Sequence, residues 1–172
     1  IKLPYSKREF GVPINLYIIG TMNTADRSIE ALDTALRRRF CFVEMMPNPE
    51  VVREKNFTDY SRVQIMEIIN QRIELLLDRN YTLGHSYFIK KDFENSFKNE
   101  IIPLLQEYFY NDCGKIGLVL GKGFVREKQI SNKNNSVFAD FDIKNEVDIV
   151  KSYELTPFDE INFETAIETL LA

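Results

Sequence analysis

The distribution of apolar residues predicts a buried strand followed by an amphipathic helix near the start of the chain. Residues 14–20 are mostly apolar and β-favouring without sustained alternation, which is typical of a strand covered on both faces in a parallel sheet. Ile29, Leu32 and Leu36 then fall on one stripe of a helix. Residues 40–45 predict a second short strand. A strand, a helix and a strand joined by short connections predict a right-handed crossover unit of an α/β fold.

Longer helical patterns follow the second strand. Residues 61–79 predict a strong amphipathic helix in which Arg62 is the exception to the apolar spacing. Residues 93–110 predict another helix, with a kink at Pro103 because proline lacks the amide hydrogen that helices use. A last amphipathic helix is predicted over 158–171. Aromatic residues at helical spacing are predicted to form the core: Phe88, Phe93, Phe97, Tyr108, Phe109 and Tyr110.

The remaining apolar runs are short and are separated by glycine-rich or polar turns. We expect Gly121–Gly123 to form a hairpin turn, and residues 3–13 to form a turn or hairpin at the edge of the sheet. Residues 128–136 are polar enough to predict a loop. Short strands are predicted at residues 116–120, 124–130, 137–141 and 147–155.

Composition excludes several classes of protein. The 172 residues are 44% hydrophobic and 28% charged, as in an ordinary globular protein. Two cysteines and one histidine argue against a zinc site or a disulfide framework, and we expect a reducing, cytoplasmic location. No apolar run approaches the roughly 20 residues that span a bilayer. Because the chain begins with Ile1 close to a predicted strand, we expect it to be part of a longer protein.

The net charge of −4 is unevenly distributed. Residues 139–172 carry nine acidic and two basic side chains, so the preceding 138 residues have a net charge of +3. The acidic C-terminal residues repel the phosphate backbone of a nucleic acid. The weak positive charge of the preceding residues does not indicate a nucleic-acid-binding surface. We therefore expect any contact with DNA to be made by other domains.

The first candidate site lies three residues after the predicted strand at 14–20. Ligands of open α/β sheets bind at the carboxyl ends of strands, and the uncharged amide of Asn23 suits orientation of a water molecule against a terminal phosphate. The alternative is local, because Asn23, Thr24 and Asp26 are also residue types that shape turns and begin helices. Residue types alone favour the local role.

The second candidate site is the run Arg37–Arg38–Arg39 at the end of the predicted helix. Successive helical side chains point about 100° apart, so these three cannot serve one acid. Asp33 lies one turn before Arg37 and is expected to pair with it. Arg38 and Arg39 then remain to stabilise the charge on a transferred phosphoryl group. The alternative is a favourable interaction with the helix dipole, which one arginine would satisfy.

His85, the one histidine, lies between Gly84 and Ser86. Two roles are open for this residue. The first is to contact a nucleotide or to act as a hinge of the helical unit. The second, which we favour, is a hydrogen-bonded structural role. Paired acids for magnesium and a Gly-x-x-x-x-Gly-Lys-Ser/Thr loop for phosphates are both missing from the sequence.

Three segments together resemble the McrB family, a GTP-using branch of the AAA+ proteins that serves modified-cytosine-dependent restriction. They are Gly20-Thr-Met-Asn-Thr-Ala-Asp-Arg-Ser28, Ala35-Leu-Arg-Arg-Arg-Phe40 and Gly84-His-Ser-Tyr-Phe88. The match covers about residues 10–110. The resemblance implies an α/β chain with a C-terminal piece of an AAA+ parallel-sheet domain (1–48), a helical lid (49–113) and a mixed β/α extension (114–172).

The resemblance also implies roles for individual residues. Asn23 would be sensor 1, and Arg38 or Arg39 would be the arginine finger that enters a neighbouring subunit. Asn23–Asp26, including Thr24, corresponds to the family's guanine-nucleotide signature. Arg27 and Asp33 would shape the same interface, and His85 would lie near the nucleotide or the hinge.

The chain departs from the family pattern because it lacks the phosphate loop (Walker A) and the magnesium-binding acids (Walker B). We therefore expect GTP or ATP and Mg²⁺ to bind the longer parent protein, and this chain alone to be inactive. The implied partners are further copies in a ring, an McrC-like endonuclease, and DNA through other domains, with no membrane. The alternatives are a MoxR-like AAA+ ATPase and a non-catalytic assembly module.

Overall fold

The computed structural model describes residues 1–22, 38–54, 61–128 and 151–172. It divides into two compact units, Ile1–Cys41 and Phe42–Ala172. The predicted helix around Ile29–Leu36 and the predicted strand at 137–141 lie outside the described residues, as does nearly all of the polar loop predicted at 128–136. The predicted domain boundaries remain predictions.

The first unit begins with a short hairpin. Lys2 and Glu9 form an antiparallel bridge, and the Leu3 N–H donates to the Arg8 carbonyl at 2.9 Å. Lys7 takes a left-handed conformation at φ 56° as the chain reverses. The turn or hairpin predicted within residues 3–13 is therefore confirmed.

The two strands predicted in residues 14–20 and 40–45 are not present in the structure. Pro13 instead begins a turn in which its carbonyl accepts from the Leu16 N–H, and apolar side chains such as Ile14 and Ile19 are exposed. A strand inside a parallel sheet depends on partner strands for its hydrogen bonds and on covering helices for its faces. In the described part of the first unit, only the Lys2–Glu9 bridge provides such pairing. The parallel sheet therefore remains a prediction.

The second unit begins with two helices, α1 (Pro49–Glu54) and α2 (Arg62–Leu76). The Ser61 hydroxyl begins α2 by accepting from the Gln64 N–H at 3.3 Å. Its apolar side chains at helical spacing face inward, as the sequence predicts. The helix ends three residues before the predicted end at 79, because Asp78 caps a separate 3₁₀ turn over Arg79–Tyr81.

The helix predicted over 93–110 is confirmed, with an irregular middle. It runs as α3 (Phe93–Ser96), a π-helical turn (Phe97–Ile101) and α4 (Ile102–Tyr108). Pro103 offers no amide hydrogen to the preceding turn, and the widened π turn lies immediately before it. The chain then leaves the helix through Tyr110, which has a φ of 52° and is 92% exposed, so the prediction that Tyr110 belongs to the core is wrong.

The strand predicted at 116–120 is also wrong, because these residues belong to α5 (Cys113–Leu120). The Asp112 carboxylate begins this helix by accepting from the Lys115 N–H at 3.1 Å. Ile116, Val119 and Leu120 then bury one face at helical spacing. Gly121 ends the helix with a φ of 85°, which glycine adopts without strain. The predicted hairpin turn at Gly121–Gly123 is therefore a helix-to-strand connection.

Two short strands and a last helix complete the second unit. β1 (Val125–Glu127) pairs antiparallel with β2 (Tyr153–Leu155), which confirms part of the predicted runs 124–130 and 147–155. The Asn162 side chain begins α6 (Phe163–Leu171) after a 3₁₀ turn over Phe158–Glu160. One apolar core joins these elements; its fully or nearly fully buried members include Val52, Ile65, Ile69, Phe88, Phe97, Ile101, Leu105, Ile116, Phe124, Ile167 and Leu170.

Candidate functional site

Arg38 and Arg39 lie in a turn of the first unit and are both exposed. Within residues 1–22, 38–54, 61–128 and 151–172, no acidic side chain forms an ion pair with either guanidinium. Both cations are therefore accessible from solvent. Arg37 and Asp33 fall outside the described residues, so their predicted pairing is not tested.

The other predicted residues of the first unit also lie outside the described part of the chain. Their roles as sensor and interface residues remain predictions: Asn23, Thr24, Asp26, Arg27 and Asp33.

His85 lies in a 3₁₀ turn (His85–Tyr87) of the second unit, where its ring is half-buried. The Asn48 N–H donates to its Nδ1 at 3.2 Å, which places the proton of the neutral ring on Nε2. Asn48 in turn accepts from the Glu50 N–H through Oδ1 at 3.0 Å and so begins α1. This contact supports the structural role that we favour for His85, and it connects two elements 37 residues apart.

A second long-range contact lies on the same stretch of chain. We name residues 42–48 the connector, since they follow the arginines and lead into α1. The Glu44 carboxylate pairs with Arg79 at 2.8 Å, and the Met46 sulfur lies 3.6 Å from the same guanidinium nitrogen. Sequence reasoning missed Arg79, because its partners are more than thirty residues away and no local pattern marks them.

Arg62 is buried, with 1% of its surface exposed, although the sequence marks it only as an exception in an apolar pattern. Its Nη1 donates to the carbonyls of Phe88 and Lys90 at 3.1 and 2.5 Å. The guanidinium also lies 4.6 Å from the centre of the Phe93 ring. Arg62 therefore fixes the chain that follows the His85 turn against α2.

An open cavity of about 430 Å³ borders Arg62. Acidic, basic and uncharged side chains all line it; they are Arg62, Lys91, Asp92, Phe93, Glu94, Asn162, Phe163 and Glu164.

The described residues hold no group of three or more metal-ligating side chains. Cys41 is exposed and Cys113 half-buried, and both are free thiols. Within the same parts of the chain, no helix combines the length and the apolar character that crossing a bilayer requires.

Comparison with known proteins gives a match over the helices of the second unit. A family model described as "McrB, alpha-helical lid domain" matches residues 61–117. The chain is 36% identical over 137 residues to the "Type IV methyl-directed restriction enzyme EcoKMcrB subunit" of Escherichia coli (strain K12), which covers 65% of this chain and 30% of that protein. It is 26% identical over 145 residues to the "Type II restriction enzyme BsuMI component YdiS" of Bacillus subtilis (strain 168), which covers 77% of this chain and 42% of that protein.

The chain thus spans less than half the length of either relative. The matched range 61–117 contains α2, α3, α4 and most of α5, together with Arg62, Arg79 and His85. These helices surround the buried core described above. Residues 61–117 therefore match the alpha-helical lid domain of McrB, and the chain is similar to the McrB family over the aligned residues.

Proposed function

We propose that this chain is the sensor, arginine-finger and lid portion of a GTP-hydrolysing AAA+ subunit in a restriction system directed at modified cytosine. The observation that carries this proposal is the lid match together with 36% identity to a methyl-directed restriction subunit. The structure supports it, because Arg38 and Arg39, which precede the lid in the sequence, are accessible from solvent.

Arg38 and Arg39 are the proposed trans arginines. Guanidinium groups stabilise the charge that develops on a transferred phosphoryl group, and a finger must be free to enter a neighbouring subunit. Exposure of both side chains, with no acid paired to them in the described residues, is compatible with that task. One of the two would insert, while the other would contact the neighbouring surface.

Asn23 is proposed to orient the attacking water as sensor 1. Thr24 and Asp26 are proposed as part of the guanine-nucleotide signature, and Arg27 and Asp33 as residues of the subunit interface. These roles rest on the resemblance of residues 20–28 and 35–40 to the family. Hydrolysis of ATP by a MoxR-like parent is the alternative.

The chain does not fit a self-contained site for GTP and Mg²⁺. The sequence lacks the Gly-rich phosphate loop, and its described residues offer no cluster of metal-ligating side chains. GTP and Mg²⁺ are therefore proposed as ligands of the longer protein, and this chain alone is proposed to be inactive. Titration calorimetry with GTP and Mg²⁺ tests this directly, and micromolar affinity of the isolated chain would contradict it.

The proposed partners are further copies of the subunit in a ring, an McrC-like endonuclease, and DNA bound by other domains. Both relatives are named as components of restriction enzymes, which supports an endonuclease partner. A non-catalytic assembly module would use the same exposed arginines only to bind its neighbours.

The test uses the full protein that carries this chain. Arg38→Ala and Arg39→Ala are expected to lower GTP turnover far more than nucleotide affinity, because the finger acts on the transition state. Equal losses in both quantities would indicate ground-state binding instead. Arg53→Ala is the matched control, since Arg53 is an exposed arginine paired within its own helix to Glu50.

Mixing variants tests whether the arginines act in trans. A protein with Asn23→Ala and a protein with both Arg38→Ala and Arg39→Ala are each expected to be inactive. Mixed rings contain interfaces with an intact Asn23 on one side and intact arginines on the other, so turnover is expected to recover on mixing. If the mixture stays inactive, the trans role is wrong, and turnover unaffected by any of these changes would favour the assembly module.

A further inference from the structure

We propose that Arg79 and His85 are positioning residues that latch the connector (residues 42–48) onto the lid, so that the chain just after Arg38 and Arg39 moves with the lid. The inference deepens the proposed function and rests on it for its consequence in catalysis. Its structural part stands on the contacts of the second unit alone.

The latch has two points along the connector. Glu44 and Met46 both meet the Arg79 guanidinium, with the carboxylate at 2.8 Å and the sulfur at 3.6 Å. Asn48 donates its backbone N–H to His85 at 3.2 Å. Both residues on the lid side belong to 3₁₀ turns between α2 and α3.

The 3₁₀ turn that carries Arg79, at the first contact point, is held in place by its own contacts within the lid. Asp78 accepts from the Asn80 N–H at 2.7 Å, and the Thr82 hydroxyl donates to the Arg79 carbonyl at 2.9 Å. Tyr81 packs edge-on against Tyr108, with ring centres 5.1 Å apart. Arg79 therefore extends from a turn that is anchored to α4.

The lid side of the second point is equally anchored. Leu83, two residues before His85, is buried, and its backbone N–H and carbonyl both bond to the Asn70 side chain, at 2.6 and 3.0 Å. Phe88 follows the turn and is fully buried. His85 is thus held between two buried positions.

The connector is anchored at its far end as well. Asn48 begins α1, and Val52 of that helix is fully buried in the lid core. Only two residues separate Arg39 from Phe42, a span of at most about 11 Å in an extended chain. A displacement of the lid is therefore expected to move the latched connector, which follows the arginines in the sequence.

The two contact points must act together to hold the connector on the lid. A single exposed ion pair such as Glu44–Arg79 holds weakly, because solvent screens it and two long side chains lose freedom. The hydrogen bond from Asn48 to His85 adds a fixed backbone position two residues after the Glu44–Met46 stretch. Loss of either point is expected to loosen the other.

The Asn48 amide reports on the latch directly, because its hydrogen is the one donated to His85. In this chain, His85→Ala is expected to raise the exchange rate of that amide at least about tenfold, as measured residue by residue by NMR. Arg79→Glu is expected to raise it several-fold, and the swapped pair Glu44→Arg with Arg79→Glu is expected to restore it.

Arg53→Gln is the matched control, since it removes an exposed ion pair on α1 without touching the connector. It is expected to leave the Asn48 amide unchanged. Unchanged exchange in His85→Ala, or equal increases in Arg53→Gln and Arg79→Glu, would overturn the latch.

Turnover by the full protein separates the latch from the proposed function. Arg79→Glu is expected to lower GTP turnover several-fold with nucleotide affinity retained, and the swapped pair is expected to restore it. If exchange rises while turnover stays unchanged in a protein that needs Arg38 and Arg39, the coupling to the arginines is wrong. If Arg38→Ala and Arg39→Ala leave turnover intact, the proposed function fails, and the exchange data still decide the latch.

Discussion

Gly123 lies directly against Ala166 of α6, so closely that a Cβ atom on the glycine would lie 2.5 Å from the Ala166 Cα. The backbone of the α5–β1 connection and the last helix therefore meet without any side chain between them. Residues beyond the matched range 61–117 thus complete the packing of the lid helices.

Gly123→Ala is expected to destabilise the chain by about 1–3 kcal/mol, because backbone atoms of α6 must move to admit the methyl group. Urea denaturation measures the free energy of unfolding. Gly84→Ala is the matched control, since a Cβ there meets only the Ser86 Oγ at 3.7 Å, and no loss from overpacking is expected. Equal stability of the two variants would contradict the close approach.

Phe124→Ala is expected to cost about 3–5 kcal/mol, because it removes a large ring from a close-packed core. The Phe124 ring is fully buried and stacks on Phe97 with ring centres 5.1 Å apart. The transition midpoint in thermal denaturation is the measurement. Tyr110→Ala, at a position 92% exposed, is expected to change it little.

Arg62→Met is expected to destabilise the lid by about 1–3 kcal/mol, because the carbonyls of Phe88 and Lys90 lose a buried donor. Arg62→Lys keeps the charge but not the planar fork of donors, so an intermediate loss is expected. Denaturant midpoints of the three proteins give the order. A methionine variant as stable as the parent would show that packing, and not hydrogen bonding, explains the buried arginine.

Stability is expected to fall at alkaline pH partly through Tyr108. Burial raises the pKa of the Tyr108 hydroxyl above its ordinary value of 10.0, and Tyr87, Glu107 and Tyr81 add to the effect. Because the pKa in the folded state is higher than in the unfolded state, this contribution is complete below about pH 10 and is lost as the pH rises through the folded-state value. Unfolding monitored between about pH 8 and pH 11 should show a shallower decline for Tyr108→Phe.

Tyr5→Phe is the control for that measurement, because Tyr5 is 98% exposed. Its pH profile is expected to follow that of the parent. The prediction for Tyr108 is wrong if both variants decline equally.

The helical parts of the fold were predictable because their signals are local. Ser61 precedes a long stretch of apolar residues at helical spacing, so α2 is evident from the chain itself. The strand prediction for residues 116–120 is wrong because five residues can suit a strand or a buried helix, and the deciding signal is the helix cap at Asp112.

The residues of the candidate site likewise differ in whether a local sequence signal marks them. Arg38 and Arg39 stand out in the sequence because three consecutive arginines exceed what the end of the predicted helix needs. Arg79 carries no such signal, since its contacts with Glu44 and Met46 arise only when distant segments meet.

The sequence by itself determined the McrB resemblance, the amphipathic lid helices and the identity of the candidate arginines, because motifs and periodicity are properties of neighbouring residues. Only the tertiary structure decided that Arg62 is buried, that Gly123 must lack a side chain and that His85 and Arg79 contact the connector. Each of these depends on atoms that lie far apart along the chain, and close packing brings them together.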